Sequence, residues 1–328
     1  MNKVMKGVLC VLGIFALTAG AAFAGGQQEG AADFPTREVK VIATFSPGGG
    51  VDTFTRALTA TAKEHLGVEM VVQNVTGAGG ATGAIEVYQS KADGYTLMSI
   101  DSSLTTLEVF RGDKLPFKST DFEPLGIVMY SPTWIISNTA RTYKTIDELI
   151  AAARENPGEV SIGTAGPSGS QFLMAKVFEN ALDLDLNIVP FDGGGTLMAK
   201  LAGNQVDAGV IHTPVGIDYI EKGDIAILAL GGPRDAVAVD VADVPTFDDL
   251  GIPEKFMVYR SLFAPPGTPQ ERIDILAEAV EKMAKADHFQ DFGAEWGVLP
   301  TFMPPEKAKE LLKRDLETFK DVYAKYVE

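Results

Sequence analysis

The chain has 328 residues, of which 22% are charged and 46% hydrophobic, and a formal net charge of −16. That composition describes a folded soluble protein long enough for two domains, and it excludes a disordered or membrane-embedded chain. So acidic a chain is a poor nucleic-acid binder, because phosphate backbones are held by clustered positive charge.

Residues 1–24 read as a processing segment. Lys3 and Lys6 form a basic start, Val8 to Leu17 is a short apolar run, and Ala22-Phe23-Ala24 is a small-residue cleavage site. The run is too short to span a bilayer, so a signal peptide cleaved after Ala24 and a periplasmic mature protein are expected. Cys10, the only cysteine, lies inside this segment and leaves no thiol for disulfides, metal ligation or nucleophilic catalysis. Cleavage removes two lysines and no acid, taking the formal charge from −16 to −18. An anionic ligand must then be held by local dipoles and hydrogen bonds, against the net charge. Residues 25–32 have the composition of a linker.

The first strand is expected over Glu38–Thr44, followed by Phe45-Ser-Pro-Gly-Gly-Gly-Val-Asp-Thr-Phe-Thr-Arg56. Val51, Phe54, Leu58, Ala62 and Leu66 recur at helical spacing up to Gly67, so one helix should follow the glycines. Val68–Gln73 reads as a strand, Gly77-Ala-Gly-Gly-Ala-Thr-Gly83 as a glycine turn, and Ala84 to Lys91 as a helix. Tyr95–Ile100 is the next strand and ends at Asp101-Ser-Ser103. Two strands, Leu125–Tyr130 and Thr133–Ser137, flank Ser131-Pro132. Thr145-Ile-Asp-Glu148 is a capping box that opens a helix, and Asn156-Pro-Gly158 ends it.

Val160–Thr164 is a strand, followed by Ala165-Gly-Pro-Ser-Gly-Ser170 and a helix to about Leu182. Leu186–Pro190 is a strand, after which Phe191-Asp-Gly-Gly-Gly-Thr196 leads into a short helix ended by Gly203. Val206–Ile211 is a strand ending at His212-Thr-Pro214, Ile217 to Lys222 is helical, and Ile225–Leu230 is a strand. Beyond a turn-rich stretch, Phe256–Ala264 is an apolar strand. Thr268-Pro-Gln-Glu271 reads as a second capping box, with Pro269 first in a helix to about Ala286. A charged helix from Pro305 to Tyr326 ends the chain. Strands alternating with helices predict a parallel sheet with crossover helices, in two similar halves.

Three strand-to-helix turns share one design: Pro47-Gly-Gly-Gly50, Ala165-Gly-Pro-Ser-Gly-Ser170 and Asp192-Gly-Gly-Gly195. The first turn of a helix has N–H groups without internal partners and carries partial positive charge. Glycines let that backbone approach a bound group. Each turn is therefore an anion seat, most simply for a carboxylate, or a tight turn without a ligand. Ser168 and Ser170 add hydroxyl donors to the second. Ligands of open α/β sheets bind outside the carboxyl ends of the strands, where these turns sit. Asp52 caps the first helix or faces the ligand, and capping is the simpler role.

Gly77–Gly83 resembles a dinucleotide fingerprint, with Asp101 at the end of the next strand, but the spacing is imperfect. Tyr88 and Lys91 are one residue too close for a Tyr-x-x-x-Lys pair, so structural glycines are the simpler account. His65, His212 and His288 show no metal-ligand spacing. His65 and His288 sit in charged helical stretches and read as solvated; His212 ends a strand on the expected cleft side, as a ligand contact or a structural group. Arg260 is the odd charge of an apolar strand, a counter-charge in the cleft or, more simply, an exposed edge residue. No Gly-x-Ser-x-Gly elbow and no serine with His and Asp partners can be assigned, so no residue is catalytic.

Seven segments stand in order: Phe45-Ser-Pro-Gly-Gly-Gly-Val-Asp52, Asn74-Val-Thr-Gly-Ala-Gly-Gly80, Ala92-Asp-Gly-Tyr-Thr-Leu97, Gly163-Thr-Ala-Gly166, Val189-Pro-Phe-Asp-Gly-Gly194, Gly203-Asn-Gln-Val-Asp207 and Ala264-Pro-Pro-Gly-Thr-Pro269. Together they resemble the periplasmic solute-binding proteins of tripartite tricarboxylate transporters, the TctC or Bug family. The resemblance runs from about Phe34 to Val327. It implies an α/β fold of two domains in a type II-like Venus-flytrap arrangement. Domain 1 would take residues 33–130 plus 255–328, and domain 2 residues 131–254, with crossover strands near 130 and 255. It also implies that small carboxylates are held largely by the first and second glycine turns, and that closure presents a new surface to a permease. Two departures bear on specificity: Phe172 stands where the family often has histidine, and Ile211-His212 where it often has Asp-Asn.

The expectation is an exported, non-catalytic protein that binds a small carboxylate for a tripartite-type transporter, without cofactor or metal. Pro47, Gly48, Gly49, Gly50, Thr164, Ala165, Gly166, Ser168, Gly169 and Ser170 would hold the anionic group, with Asp52, Ser102, Ser103 and His212 as further contacts. Its partners would be the ligand and integral membrane permease subunits, with no nucleic acid, and the protein a monomer. Two alternatives stand beside it: a nucleotide-dependent oxidoreductase using Gly77–Gly83, and a ligand-sensing partner of a signalling receptor.

Overall fold

The computed structural model describes residues 34–140, 143–212 and 217–327, without the side chains of 217 and 218. The expected signal peptide, its cleavage site and the linker lie outside the described residues, as do Thr213 and Pro214. Among the described residues no helix is long and apolar enough to cross a membrane.

Strands β1 (Val39–Ala43), β2 (Met70–Asn74) and β3 (Thr96–Asp101) pair in parallel in the order β2-β1-β3. Between β1 and β2 run two helices, α1 (Gly50–Thr59) and α2 (Ala62–Leu66), where the apolar spacing predicts one. Thr55 Oγ1 donates to Val51 O and Thr59 Oγ1 to Thr55 O, back-bonds that compete with the helical ladder, and helical geometry is lost at Thr61. Val51, Phe54, Leu58 and Ala62 still form the buried face, and Gly67, at φ +85°, ends α2. Helix α3 (Ala81–Tyr88) begins at Ala81 rather than Ala84, directly after a left-handed turn through Ala78, Gly79 and Gly80. Helix α4 (Ser103–Arg111) was not foreseen: its threonines are poor helix formers, but it buries Leu104 and Leu107.

Strand β4 (Glu123–Asn138) leads to α5 (Ile146–Glu155), β5 (Ser161–Ala165), α6 (Ser170–Ala181) and β6 (Asn187–Phe191). Then come α7 (Gly194–Ala202), β7 (Ala208–His212), α8 (Ile217–Glu221) and β8 (Ile225–Leu230). The first capping box forms: Glu148 N donates to Thr145 Oγ1 at 3.2 Å, and Thr145 N to Glu148 Oε2 at 3.4 Å. The chain closes with β9 (Met257–Ala264), α9 (Gln270–Lys285), α10 (Asp287–Glu295), β10 (Pro300–Met303) and α11 (Pro305–Tyr326). The second capping box does not form. Thr268 Oγ1 donates instead to Pro265 O at 2.8 Å, and Pro269 caps α9 without a side-chain bond. Short α10 and β10 were also not foreseen; Phe289 and Phe292 are the buried anchors of α10.

Among the named strands of the described residues, β2-β1-β3 and β7-β5-β6 are parallel; β4 and β9 run antiparallel to their neighbours. Strand β4 is one strand of 16 residues where two were expected. Up to Pro132 it pairs with β9 and β10, and from Thr133 onward with β7 and β8. Proline cannot donate to a ladder. It falls where the strand exchanges partners, so its missing N–H interrupts neither sheet. Strand β9 lies between β3 and β4. Two sheets are thus threaded on β4. Around the first, Ile42, Met98, Leu104, Phe263, Leu311 and Leu312 form a core; around the second, Ile135, Ile162, Leu173, Phe178, Val210 and Phe256 form another. Helix α11 belongs to both, because Phe319 and Val322 join the second core.

Candidate functional site

At the carboxyl end of β1 the chain turns through Ser46–Gly49 into α1. Gly48 adopts φ +74°, a left-handed conformation that a side chain would strain, and Gly49 N donates to Ser46 O at 3.1 Å. Gly49 is the residue before α1 and makes no side-chain cap. Asp52, 3% exposed, holds the turn from inside. It accepts from Gly48 N at 2.9 Å, Arg56 Nε at 3.0 Å and Asn74 Nδ2 at 2.9 Å. Burial pushes its carboxyl up, but the bonds from Arg56, Gly48 and Asn74 outweigh that and hold it below the usual range.

The turn after β5 is built alike. Thr164 Oγ1 donates to Gly166 O at 2.9 Å, Gly166 takes φ +100°, and Gly169 precedes α6 without a side-chain cap. The turn after β6 repeats the pattern, with Gly193 before α7 and again no side-chain cap. All three turns line one cleft of about 680 Å³.

Of the residues singled out from sequence, Pro47, Gly48, Gly49, Gly50, Ser103, Ala165, Gly166, Ser168, Gly169 and His212 line this cleft. Asp52, Ser102, Thr164 and Ser170 are buried behind its wall; Asp52, Thr164 and Ser170 bond residues that line it, and Ser102 Oγ faces Ser170 Oγ. Gly77 to Gly80 and Asp101, which the sequence singled out only as a dinucleotide fingerprint, line the cleft too. The sequence reading missed Thr76, Arg111 and Gln171, which nothing in the local sequence marked. Phe172, which replaces the family's frequent histidine, turns away and packs edge-on against Phe110 at 6.1 Å. His65 is half-buried rather than solvated, whereas His288 is exposed.

His212 is 6% exposed and its ring is bonded on both sides. Nδ1 lies 3.0 Å from Thr133 Oγ1 and Nε2 lies 3.1 Å from Ser170 Oγ, which is 3.5 Å from Ser102 Oγ. Burial pulls its pKa down to about 4, with Asp101 opposing and Arg260 assisting, so it is neutral at pH 7. Arg260 is not an exposed edge residue. It is 2% exposed, on the cleft wall, in a strand with neighbours on both sides. Its register partner across β3 is Asp101, whose Oδ1 accepts from Ser103 N at 2.9 Å and Ser103 Oγ at 2.5 Å. Burial lowers the guanidinium pKa to about 10, with Asp101 opposing, so Arg260 stays charged at neutral pH. Among the described residues no three His, Cys, Asp or Glu side chains gather as metal ligands.

Two α/β sheets joined through β4, with glycine-turned helix starts facing one cleft, are the build of a solute-binding protein. The pattern that defines the Tripartite tricarboxylate transporter family receptor (TctC) matches residues 54–325, and the chain belongs to that family. BugT of Bordetella pertussis is 29% identical over 324 residues, covering 97% of both chains. A solved periplasmic transporter superposes with a TM-score of 0.83 at 30% identity, covering 89% of this chain and 98% of its own. MatC from Rhodopseudomonas palustris, solved with bound malate, shares the fold at a TM-score of 0.79 and 24% identity, over 88% of this chain and 99% of its own. The architecture is the two-domain Venus flytrap of periplasmic binding proteins. The family is one of solute-binding receptors and not of enzymes, which sets aside the oxidoreductase alternative on Gly77–Gly83.

Proposed function

We propose that this protein captures a small carboxylate in the cleft and delivers it to the membrane permease of a tripartite transporter. One observation carries the reading: Gly49, Gly169 and Gly193, three helix starts without a side-chain cap, open on the same cleft. Free N–H groups and helix dipoles attract an anion there although the protein as a whole is acidic. Pro47, Gly48, Gly49, Gly50, Ala165, Gly166, Ser168 and Gly169 form the seat. Ser103 and His212 flank it, and Asp52, Ser102, Thr164 and Ser170 support it from behind. The cleft, about 680 Å³, is large enough to admit a ligand such as malate, which MatC holds, and would have to close around it.

The domains divide near residues 130 and 255, into 33–130 with 255–328 and into 131–254; the exchange of partners along β4 at Pro132 supports this boundary. Closure about β4 and β9 gives the permease a surface that the open form lacks. The mature protein works in the periplasm as a monomer, after cleavage following Ala24.

Thermal unfolding of the mature protein across a panel of carboxylates, with NAD and NADP as controls, tests the reading. A ligand at 100 times its dissociation constant adds about 2.7 kcal/mol, a rise of several degrees. The rise should appear with a carboxylate and vanish in Gly49→Asp, which sets a negative charge at the seat. A rise with the nucleotides alone would overturn the proposal.

A further inference from the structure

Arg260 is the more deeply buried of the two cations on the cleft wall. It is 2% exposed and on the cleft wall, and among the described residues its one hydrogen bond runs from Nη1 to Met129 Sδ at 3.5 Å. Nε is buried without any partner. Thioether sulfur is a weak acceptor, and a guanidinium offers five donors. Asp101, opposite in register, balances the charge at a distance, but its Oδ1 is engaged by Ser103. The Phe54 ring, 5.8 Å from the guanidinium carbon, supplies an apolar wall and a weak cation–π contact, not a hydrogen-bond acceptor. A buried guanidinium with so few contacts is incomplete, because burying a charge is tolerated only when its donors are engaged.

We propose that Arg260 anchors a second carboxylate, so that the cleft selects dicarboxylates over monocarboxylates of equal chain length. This rests on the reading of the cleft as a carboxylate site. The glycine turns after β1, β5 and β6 take one anionic group through backbone N–H donors, a seat indifferent to the rest of the ligand. Arg260 reads the far end: the planar fork matches a carboxylate with two parallel bonds, and apolar surroundings strengthen them. A monocarboxylate would bury its methyl end against that fork and leave it unpaired. Arg111 also lines the cleft and its Nε is likewise without a partner, but it is only half-buried and its Nη2 already donates to Ala78 O at 3.1 Å, so Arg260 is the less satisfied cation.

The test is titration calorimetry of the mature protein with matched pairs: succinate and butyrate, glutarate and valerate, adipate and hexanoate. The wild type should bind one diacid about 30-fold or more tighter than its monoacid, the factor expected for a buried charge-paired contact. Arg260→Met should erase that preference, with diacid affinity falling, while Arg260→Lys keeps part of it. Should Arg260→Met not fold, as circular dichroism would reveal, the wild-type preference and the Arg260→Lys series decide. Monoacids binding as well as diacids would overturn the inference and leave the carboxylate site standing. A preference that survives Arg260→Met but is lost in Arg111→Met would also overturn it. Binding of neither class would remove the carboxylate reading together with this one.

Discussion

His212 Nε2 lies 3.1 Å from Ser170 Oγ while its Nδ1 lies 3.0 Å from Thr133 Oγ1, so a neutral imidazole links the start of α6 to the middle of β4. Its folded pKa, about 4, is below the ordinary 6.5. The unfolded chain therefore binds more protons between those values, and stability falls as pH drops from about 6.5 towards 4. The linkage is on the order of 3 kcal/mol. In urea unfolding, the wild type should lose on the order of 3 kcal/mol more than His212→Gln between pH 7.5 and pH 4.5. An equal loss in both would remove His212 as its source.

Asp315 works in the opposite direction over nearly the same range. Burial raises its carboxyl to about 6 although Arg314 Nη2 is 3.3 Å away. A raised folded pKa favours the protonated fold, so this stability is present below the unfolded value of 3.8 and is lost as pH rises through about 6. Asp315→Asn mimics the protonated acid. It should be more stable than the wild type at pH 8, by about 1–2 kcal/mol after the loss of the Arg314 pair, and not at pH 4. A lower melting temperature at pH 8 would contradict the assignment.

Asp52 should matter more for the shape of the seat than for direct contact. Asp52→Ala removes the acceptor of Gly48 N and one of the two acceptors of the half-buried Asn74 Nδ2, which keeps its bond to Phe45 O, at a cost of about 1–2 kcal/mol. Carboxylate affinity should weaken with it. Arg56→Ala, which removes a half-exposed partner of the same carboxylate, should cost below about 1 kcal/mol. Equal effects of both would mean that the ion pair, and not the bond to Gly48, holds the turn.

Net charge gives the association rate an unusual sign. A dianion approaching a protein of formal charge −16, or −18 after signal cleavage, is repelled at long range, and added salt screens that repulsion. Stopped-flow association with a dicarboxylate should therefore quicken between about 20 and 200 mM salt, where the Debye length shrinks from roughly 20 to 7 Å. A rate that falls with salt would show that local charge at the cleft governs capture.

The glycine turns were legible because backbone freedom and helix starts are written in a few adjacent residues. Arg260 was visible as an anomaly and still misjudged. Its exposure depends on β9 standing between β3 and β4, and a strand's place in a sheet is not encoded in the strand. Ser131-Pro132 likewise reads locally as a break, and becomes a continuous strand only because two sheets meet there. Asp52 looked like a simple cap, but two of its three donors, Gly48 and Asn74, lie outside the helix it sits in. Helix α4 was missed because burial of Leu104 and Leu107 outweighs its weak local propensity.

The position of β9 also sets the order in which the chain can assemble. Residues 98–101 pair with 260–263, partners about 160 positions apart, so the first sheet stays open along β3 until most of the polypeptide is present. The second sheet draws its strands from residues 133–230 and can close earlier. Bringing such distant partners together is entropically slow. The middle of the chain should therefore gain hydrogen-exchange protection first in refolding, and the nascent ligand seat at β1 should be among the last parts to take shape.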